Sequence, residues 1–268
     1  MTVSALLSAA SLADRVKGVD LSIETGSCVV LVGKNGAGKS TILALLAGLV
    51  APTSGAALLA GRPAAHLREG ERAALAAWLP QRPNLDGALT ASEVVALARF
   101  RFPESPNESR QQADLFLERS GALQLGPRRL DSMSGGEVQR VLLAALRAQA
   151  APLLFVDEPA NHLDPLAQVQ TYRALGELWQ NEQATLCLVT HDLRLCQLLG
   201  PAEQVLVVGV ADGRILWRLP LAAPELPTEL ERLYGVPFAK AGTPGGLGIA
   251  IDALSEGAPE PSPEGKSR

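Results

Sequence analysis

The sequence predicts an α/β protein built around a largely parallel sheet, and three observations carry that prediction. Short apolar runs rich in β-branched residues, "SCVVLVG", "PLLFVDEP" and "ATLCLVTHD", read as strands buried on both faces. Two of them end in polar residues, the position where open parallel sheets build their sites. Glycine turns join such strands to leucine-rich stretches, as in "LVGKNGAGKSTILALLAGLV", so a strand passes directly into a helix N-terminus. The 268 residues, 47% of them apolar, accommodate one large domain with a subdomain or short appendage.

Along the chain, residues 1–30 carry two or three strand-like runs, the last leading into the glycine loop. Residues 53–80 hold a turn and strand ("TSGAALLAGRP"), a helix ("LREGERAALAAW") and a strand ("AAWLPQ"). From about 84 to 150 the pattern turns helical, which predicts an inserted helical subdomain. Thr90 followed three residues later by Glu93 is a capping-box signature, and "SPNESRQQADLFLERSGAL" is a second helix after a Pro and Asn break. The strand pattern then returns, and "QVLVVGVADGRILWRLP" reads as two strands joined at Asp212 and Gly213. The domain is expected to span 1–240, with an extension over 241–254 and a disordered tail over 255–268, where Pro, Glu, Ser and Gly dominate.

Two of the five lysines lie in the glycine loop, which has the spacing G-x-x-x-x-G-K-[ST]. Gly33, Gly36 and Gly38 leave room for close backbone approach, and the amides from Asn35 through Ala37 to Lys39 would cradle a β-phosphate. Lys39 would reach the β- and γ-phosphates and Ser40, beside Thr41, would ligate Mg²⁺. "LLFVDEP" places Asp157 and Glu158 at a strand end; with side chains alternating, Asp157 would hold the Mg²⁺ shell and Glu158 would polarise the attacking water. A second glycine turn, Ser134, Gly135 and Gly136, opens a helix whose apolar positions Val138, Val141, Leu142, Ala145 and Leu146 follow helical spacing. One nucleotide does not need two anion cradles, so the second implies a second chain.

Other classes are disfavoured. A net charge of −4 without a basic block argues against a nucleic-acid surface. Cys28, Cys187 and Cys196 are odd in number and unclustered, so they read as small apolar side chains of a reduced, intracellular protein. No stretch has the roughly 18 uninterrupted apolar residues of a membrane helix, and the N-terminus has no basic residue ahead of its apolar run, unlike a signal peptide. A soluble protein that docks on a membrane protein is compatible with all of this.

Taken in order, the motifs resemble the ATP-binding cassette (ABC) ATPases across residues 3–235. "GKNGAGKST" is similar to Walker A, "LPQ" with Gln81 to the Q-loop, "MSGGEVQR" to the cassette signature and "LLFVDEP" to Walker B. "NHLD" with Asp164 is similar to the D-loop and "THD" with His191 to the switch histidine. The resemblance implies a P-loop NTPase core of mixed sheet with an N-terminal antiparallel β subdomain and a helical insertion. It implies ATP and Mg²⁺ as ligands and a homodimer in which Ser134 and Gly136 of one chain close over ATP held by Lys39 of the other. His191 would contact the γ-phosphate and orient the water with Glu158, and Gln81 would link Mg²⁺ to a membrane permease seated on the helical subdomain. His66 and His162 carry no such role, although His162 lies in the D-loop.

The chain departs from the family in three places. No aromatic residue precedes Trp78, so adenine would rest on Arg15 or Val16. The signature has Met133 for leucine and Glu137 for glutamine, which sets a negative charge beside a polyanion, partly offset by Lys34. "LTASEVVALARFRFP" and "LPTELERLYGVPF" resemble the subgroup powering uptake of iron-siderophore, haem and cobalamin complexes, and the "SGGE" signature with the short aromatic-free hairpin is most similar to the cobalamin importers. An importer ATPase is expected on the cytoplasmic face of the inner membrane, with a permease and, indirectly, a substrate-binding protein. The competing expectation is a permease-free ABC ATPase acting as a scaffold, of the iron-sulfur assembly type.

Overall fold

In the computed structural model, which describes residues 2–81, 87–243 and 246–251, the chain opens with β1 (Val3–Leu12), β2 (Val16–Glu24) and β3 (Cys28–Val32). Helix α1 (Lys39–Leu46), β4 (Ser54–Leu59), β5 (Arg62–Pro63), α2 (Glu69–Leu75) and β6 (Ala76–Leu79) follow. Three helices come next, α3 (Ala91–Leu97), α4 (Pro106–Arg119) and α5 (Gly135–Ala148). The chain then alternates through β7 (Leu153–Asp157), α6 (Pro165–Gln180), β8 (Thr185–Val189), α7 (Leu193–Cys196), β9 (Val205–Ala211) and β10 (Arg214–Pro220). It continues through α8 (Leu226–Tyr234) to a hairpin of β11 (Phe238–Thr243) and β12 (Gly246–Ile251). The expected disordered tail, 255–268, and the first residues of the helical insertion, 84–86, lie outside the described residues.

Six strands form the central sheet in the order β10-β9-β3-β8-β7-β6, parallel from β9 to β6 with β10 antiparallel at the edge. Every residue of β3, β7 and β8 is buried, as the uninterrupted apolar runs predict. Ala211 pairs with Arg214, so Asp212 and Gly213 alone make the β9–β10 turn; their φ values of 49° and 74° are the left-handed pair of a type I′ hairpin. The N-terminal runs form the antiparallel sheet β2-β1-β4-β5, whose first two strands are 10 and 9 residues long.

Three apolar layers hold these parts together. Ile42, Leu43, Leu45 and Leu46 of α1 are sandwiched between the two sheets, against Leu7, Leu21, Ile23 and Phe155. The other face of the central sheet is covered by α5, α6 and α8 through Leu142, Leu146, Tyr172, Leu175, Leu226 and Leu230. Val94, Val95, Ala113 and Leu117 of α3 and α4 form the third layer with Val141, Ala144 and Ala148 of α5. Helix α5 is therefore shared: Leu142, Leu143 and Leu146 face the sheet while the intervening residues face the helices. At about 1.5–3 kcal/mol per buried large aliphatic side chain, both faces are held by several kcal/mol. The buried Arg147 guanidinium adds a polar tie, bonding Glu177 and Glu182 around α6 and Ser120 at the end of α4. All three cysteines are buried without disulfides, and burial pushes each thiol well above its ordinary range, so they act as core side chains.

Candidate active site

Helix α1 begins at Gly38, whose left-handed φ of 97° brings no side-chain cap, so the first-turn N–H groups of α1 face the cleft. Helices α3, α4, α5 and α6 differ: Thr90, Ser105, Ser134 and Asp164 cap them. The glycines of the loop are required for separate reasons. A Cβ on Gly33 would lie 2.1 Å from the Val210 carbonyl oxygen, and one on Gly38 would lie 2.7 Å from that of Arg15. Gly36 faces open space but has φ of 80°. The result is a concave amide cradle at a helix N-terminus, which fits a phosphate group.

Lys39 is buried and arches back over this loop, its Nζ donating to the carbonyl oxygens of Gly33 at 2.8 Å and Lys34 at 3.0 Å. Burial pulls its ammonium below the ordinary lysine range, an effect opposed by the carboxylates of Glu158 and Asp157. Ser40 Oγ donates to Asp157 Oδ1 at 3.1 Å, joining the loop to the end of β7. Burial pushes the Asp157 carboxyl above the ordinary range, with the Ser40 hydrogen bond acting the other way.

Glu158 corrects one sequence expectation. It does not continue the alternation of β7, because the strand ends at Asp157 and Glu158 has a left-handed φ of 47°, its N–H donating to the Val189 carbonyl of β8 at 3.0 Å. That turn swings its carboxylate to three donors. Gln81 Nε2 lies 2.7 Å and Asn161 Nδ2 2.5 Å from Oε2, while His191 Nε2 lies 2.8 Å from Oε1. Three segments, following β6, β7 and β8, thus converge on one anion. Gln81 meets Glu158 rather than the Ser40–Asp157 pair. Neither its type nor its spacing marks Asn161 in the sequence as a partner of Glu158; only the turn after Glu158 brings it there.

These groups line an open cleft of about 720 Å³, with residues 35–41 along one wall, Arg15 beside them and Gln81, Glu158, Asn161 and His191 opposite. That volume lies within the range of small-molecule sites. Val16 is fully buried and cannot support a base, so of the two residues expected under adenine only Arg15 reaches the cleft. Ser134, Gly135 and Gly136 do not line it and instead open α5; Asp164 Oδ1 accepts from Ala167 N at 2.9 Å as the cap of α6. Lys34 does not offset Glu137 by contact: the carboxylate pairs with Arg128 at 2.8 Å. A further contact reaches the cradle from the far end of the chain, where Tyr234 Oη of α8 accepts from Gly33 N at 3.0 Å.

An amide cradle on an uncapped helix that follows a buried parallel strand, facing a carboxylate hydrogen-bonded from three segments, defines the class: a P-loop nucleoside triphosphatase. The comparisons place it more narrowly. A family model described as ABC transporter matches residues 16–161. The hemin import ATP-binding protein HmuV of Bordetella bronchiseptica is 36% identical over 231 residues, covering 81% of this chain and 85% of that protein. The cobalamin import ATP-binding protein BtuD of Halobacterium salinarum is 37% identical over 201 residues, 74% of this chain and 49% of that protein. Among solved structures, the dimeric ATP-binding cassette MJ0796 bound to ADP and Pi superposes with a TM-score of 0.73 at 26% identity, over 82% of this chain and 99% of that one. The chain belongs to the ABC transporter family and is an ABC-type ATPase.

Proposed function

We propose that this chain is the ATP-hydrolysing subunit of an importer that energises uptake of a metal chelate, cobalamin, haem or iron-siderophore, through a separate membrane permease. The observation carrying this reading is the Glu158 cluster facing the cradle in a chain similar, over most of its length, to hemin and cobalamin import proteins.

In this reading the amides of Gly36 to Ser40 hold the phosphates of ATP, and the Lys39 ammonium leaves its two loop carbonyls to donate to the β- and γ-phosphate oxygens. Ser40 and Asp157, hard oxygen donors already in contact, would hold Mg²⁺ with Gln81 nearby, and the ion would supply charge neutralisation at the phosphates. Glu158 accepts the proton of the attacking water, and its donors Gln81, Asn161 and His191 fix the direction of its free lone pairs. His191 at the same cluster senses the γ-phosphate. Ser134, Gly135 and Gly136 close over the nucleotide of a second copy, which explains why they lie off the cleft of their own chain. Asp164 and His162 stand on the turn leading to α6, near the same seam.

The permease would seat on the groove between α3 and α5, lined by Trp78, Leu79, Pro80, Val94 and Leu146 and flanked by Leu97 and Phe100, which are 57% and 61% exposed. Pro80 leads directly into Gln81, so pressure on this groove is one residue from the Glu158 cluster. Among the described residues no helix is long and apolar enough to cross a membrane, in keeping with a peripheral subunit on the cytoplasmic face. The test is a pull-down of tagged Glu158→Gln protein from detergent-solubilised native membranes, with and without ATP. An ATP-dependent multi-span permease with its substrate-binding protein is the expected catch. Recovery of soluble partners alone would replace this reading with the permease-free scaffold.

A further inference from the structure

We propose that Arg128 and Glu137 form a charge clamp that sets how tightly the Ser134 segment closes on nucleotide held by a second copy of this chain. The inference rests on the two-copy reading above and deepens it.

Glu137 lies in the first turn of α5, and its Oε2 accepts from both Ser134 N at 2.8 Å and Ser134 Oγ at 3.1 Å. The two Ser134 donors that would serve a phosphate are therefore already directed at a carboxylate. The other oxygen, Oε1, accepts from Arg128 Nη1 at 2.8 Å, and Arg128 Nη2 is anchored on the Ser132 carbonyl at 2.6 Å. The neighbouring charges, Arg129 and Asp131, bond each other at 2.6 Å. Hydrogen bonds from Ser134 and the guanidinium of Arg128 hold the Glu137 carboxyl below its ordinary range, so it stays anionic.

The chain contains its own control for what Arg128 does. Thr90 with Glu93 and Ser105 with Glu108 form the same reciprocal capping box as Ser134 with Glu137. Among the described residues, neither Glu93 nor Glu108 has an arginine or lysine within salt-bridge distance, whereas Glu137 does. Capping a helix thus needs no guanidinium here. The Glu71 carboxylate of the α2 box also carries arginines, Arg62 and Arg68, so a guanidinium beside a cap glutamate is not peculiar to α5. In the two-copy reading, however, the α5 N-terminus meets a polyanion, and there the arginine cancels the carboxylate's charge and holds Oε1, so a phosphate can approach and take over the Ser134 donors. Without Arg128 the same carboxylate would repel the nucleotide. The pair is partly exposed, which makes its effect modest, roughly 2- to 5-fold per copy. Closure engages two copies, so the dimer dissociation constant should move by roughly 4- to 25-fold.

The experiment measures ATP-dependent dimerisation by analytical ultracentrifugation in the Glu158→Gln background, at low salt and at high salt. Arg128→Ala should weaken the dimer by that factor, Glu137→Gln should tighten it, and the double variant should return near the parent, with all differences shrinking at high salt. Nucleotide binding and thermal melting of each variant are read alongside, so that an unfolded α5 is not mistaken for a charge effect. A parent that dimerises with ATP while Arg128→Ala dimerises equally well overturns the clamp alone. A double variant as weak as Arg128→Ala does so too, since Arg128 would then act only through the fold. A parent that never dimerises with ATP overturns the two-copy reading and the clamp with it.

Discussion

Replacing Tyr234 by Phe should loosen the phosphate cradle from a distance. The hydroxyl accepts the Gly33 N–H at 3.0 Å, and Gly33 is buried, so the substitution leaves one backbone donor without its partner. The ring itself stays, packed on Phe238 at a centroid distance of 5.7 Å, so the loss is confined to one oxygen. An orphaned buried N–H costs about 1–3 kcal/mol. For a domain of this size that corresponds to a melting point lowered by roughly 2–6 °C. Because Gly33 also presents the carbonyl that Lys39 holds at 2.8 Å, the loop should lose order and ATP affinity should fall several-fold, measured by calorimetry beside the melt. A Tyr234→Phe protein that melts and binds ATP like the parent would show that the hydrogen bond contributes nothing and that α8 does not brace the loop.

Other outcomes follow from the same geometry. Lys39→Ala should abolish measurable ATP binding in calorimetry, because the ammonium is the buried cation at the cradle; unchanged affinity would sink its role. Ser134→Ala and Ser105→Ala remove caps of equal geometry, each 3.3 Å from its N–H, and should each cost about 1 kcal/mol in a denaturant melt. Of the two, Ser134→Ala alone should also lose the ATP-dependent dimer. Native protein should show no fast-reacting thiol with a disulfide reagent and three after denaturation, since Cys28, Cys187 and Cys196 are all buried with thiols raised by burial.

Much of the fold was legible because its signals are local. Strands β3, β7 and β8 are buried on both faces and so read as unbroken apolar runs; Thr90–Glu93 declares a helix start, and Asp212–Gly213 a two-residue hairpin. The glycine loop was legible for the same reason, since its conformation demands glycine at fixed positions.

What stayed hidden depends on partners distant in the chain or on a single dihedral. Glu158 departs from strand alternation because β8 supplies the Val189 carbonyl, and only then do Gln81, Asn161 and His191 share its carboxylate. The "LERLYGVPF" stretch shows no chemistry in the sequence, because Tyr234 acts on Gly33, 201 residues away. Val16 and Arg15 are neighbours of opposite fate, one in the core and one in the cleft, and no periodicity separates them. Arg128 is only 9 residues from Glu137, yet its reach depends on the single 3₁₀ turn, Leu130–Ser132, that lies between them.

In the proposed function Glu158, held by three donors, activates the water that cleaves ATP. Phosphate release by the parent and by Glu158→Gln protein, measured in a single turnover with saturating ATP and Mg²⁺, tests it most directly. The variant should retain ATP while its release rate falls by at least about 100-fold. A variant that releases phosphate at the parent rate would contradict it.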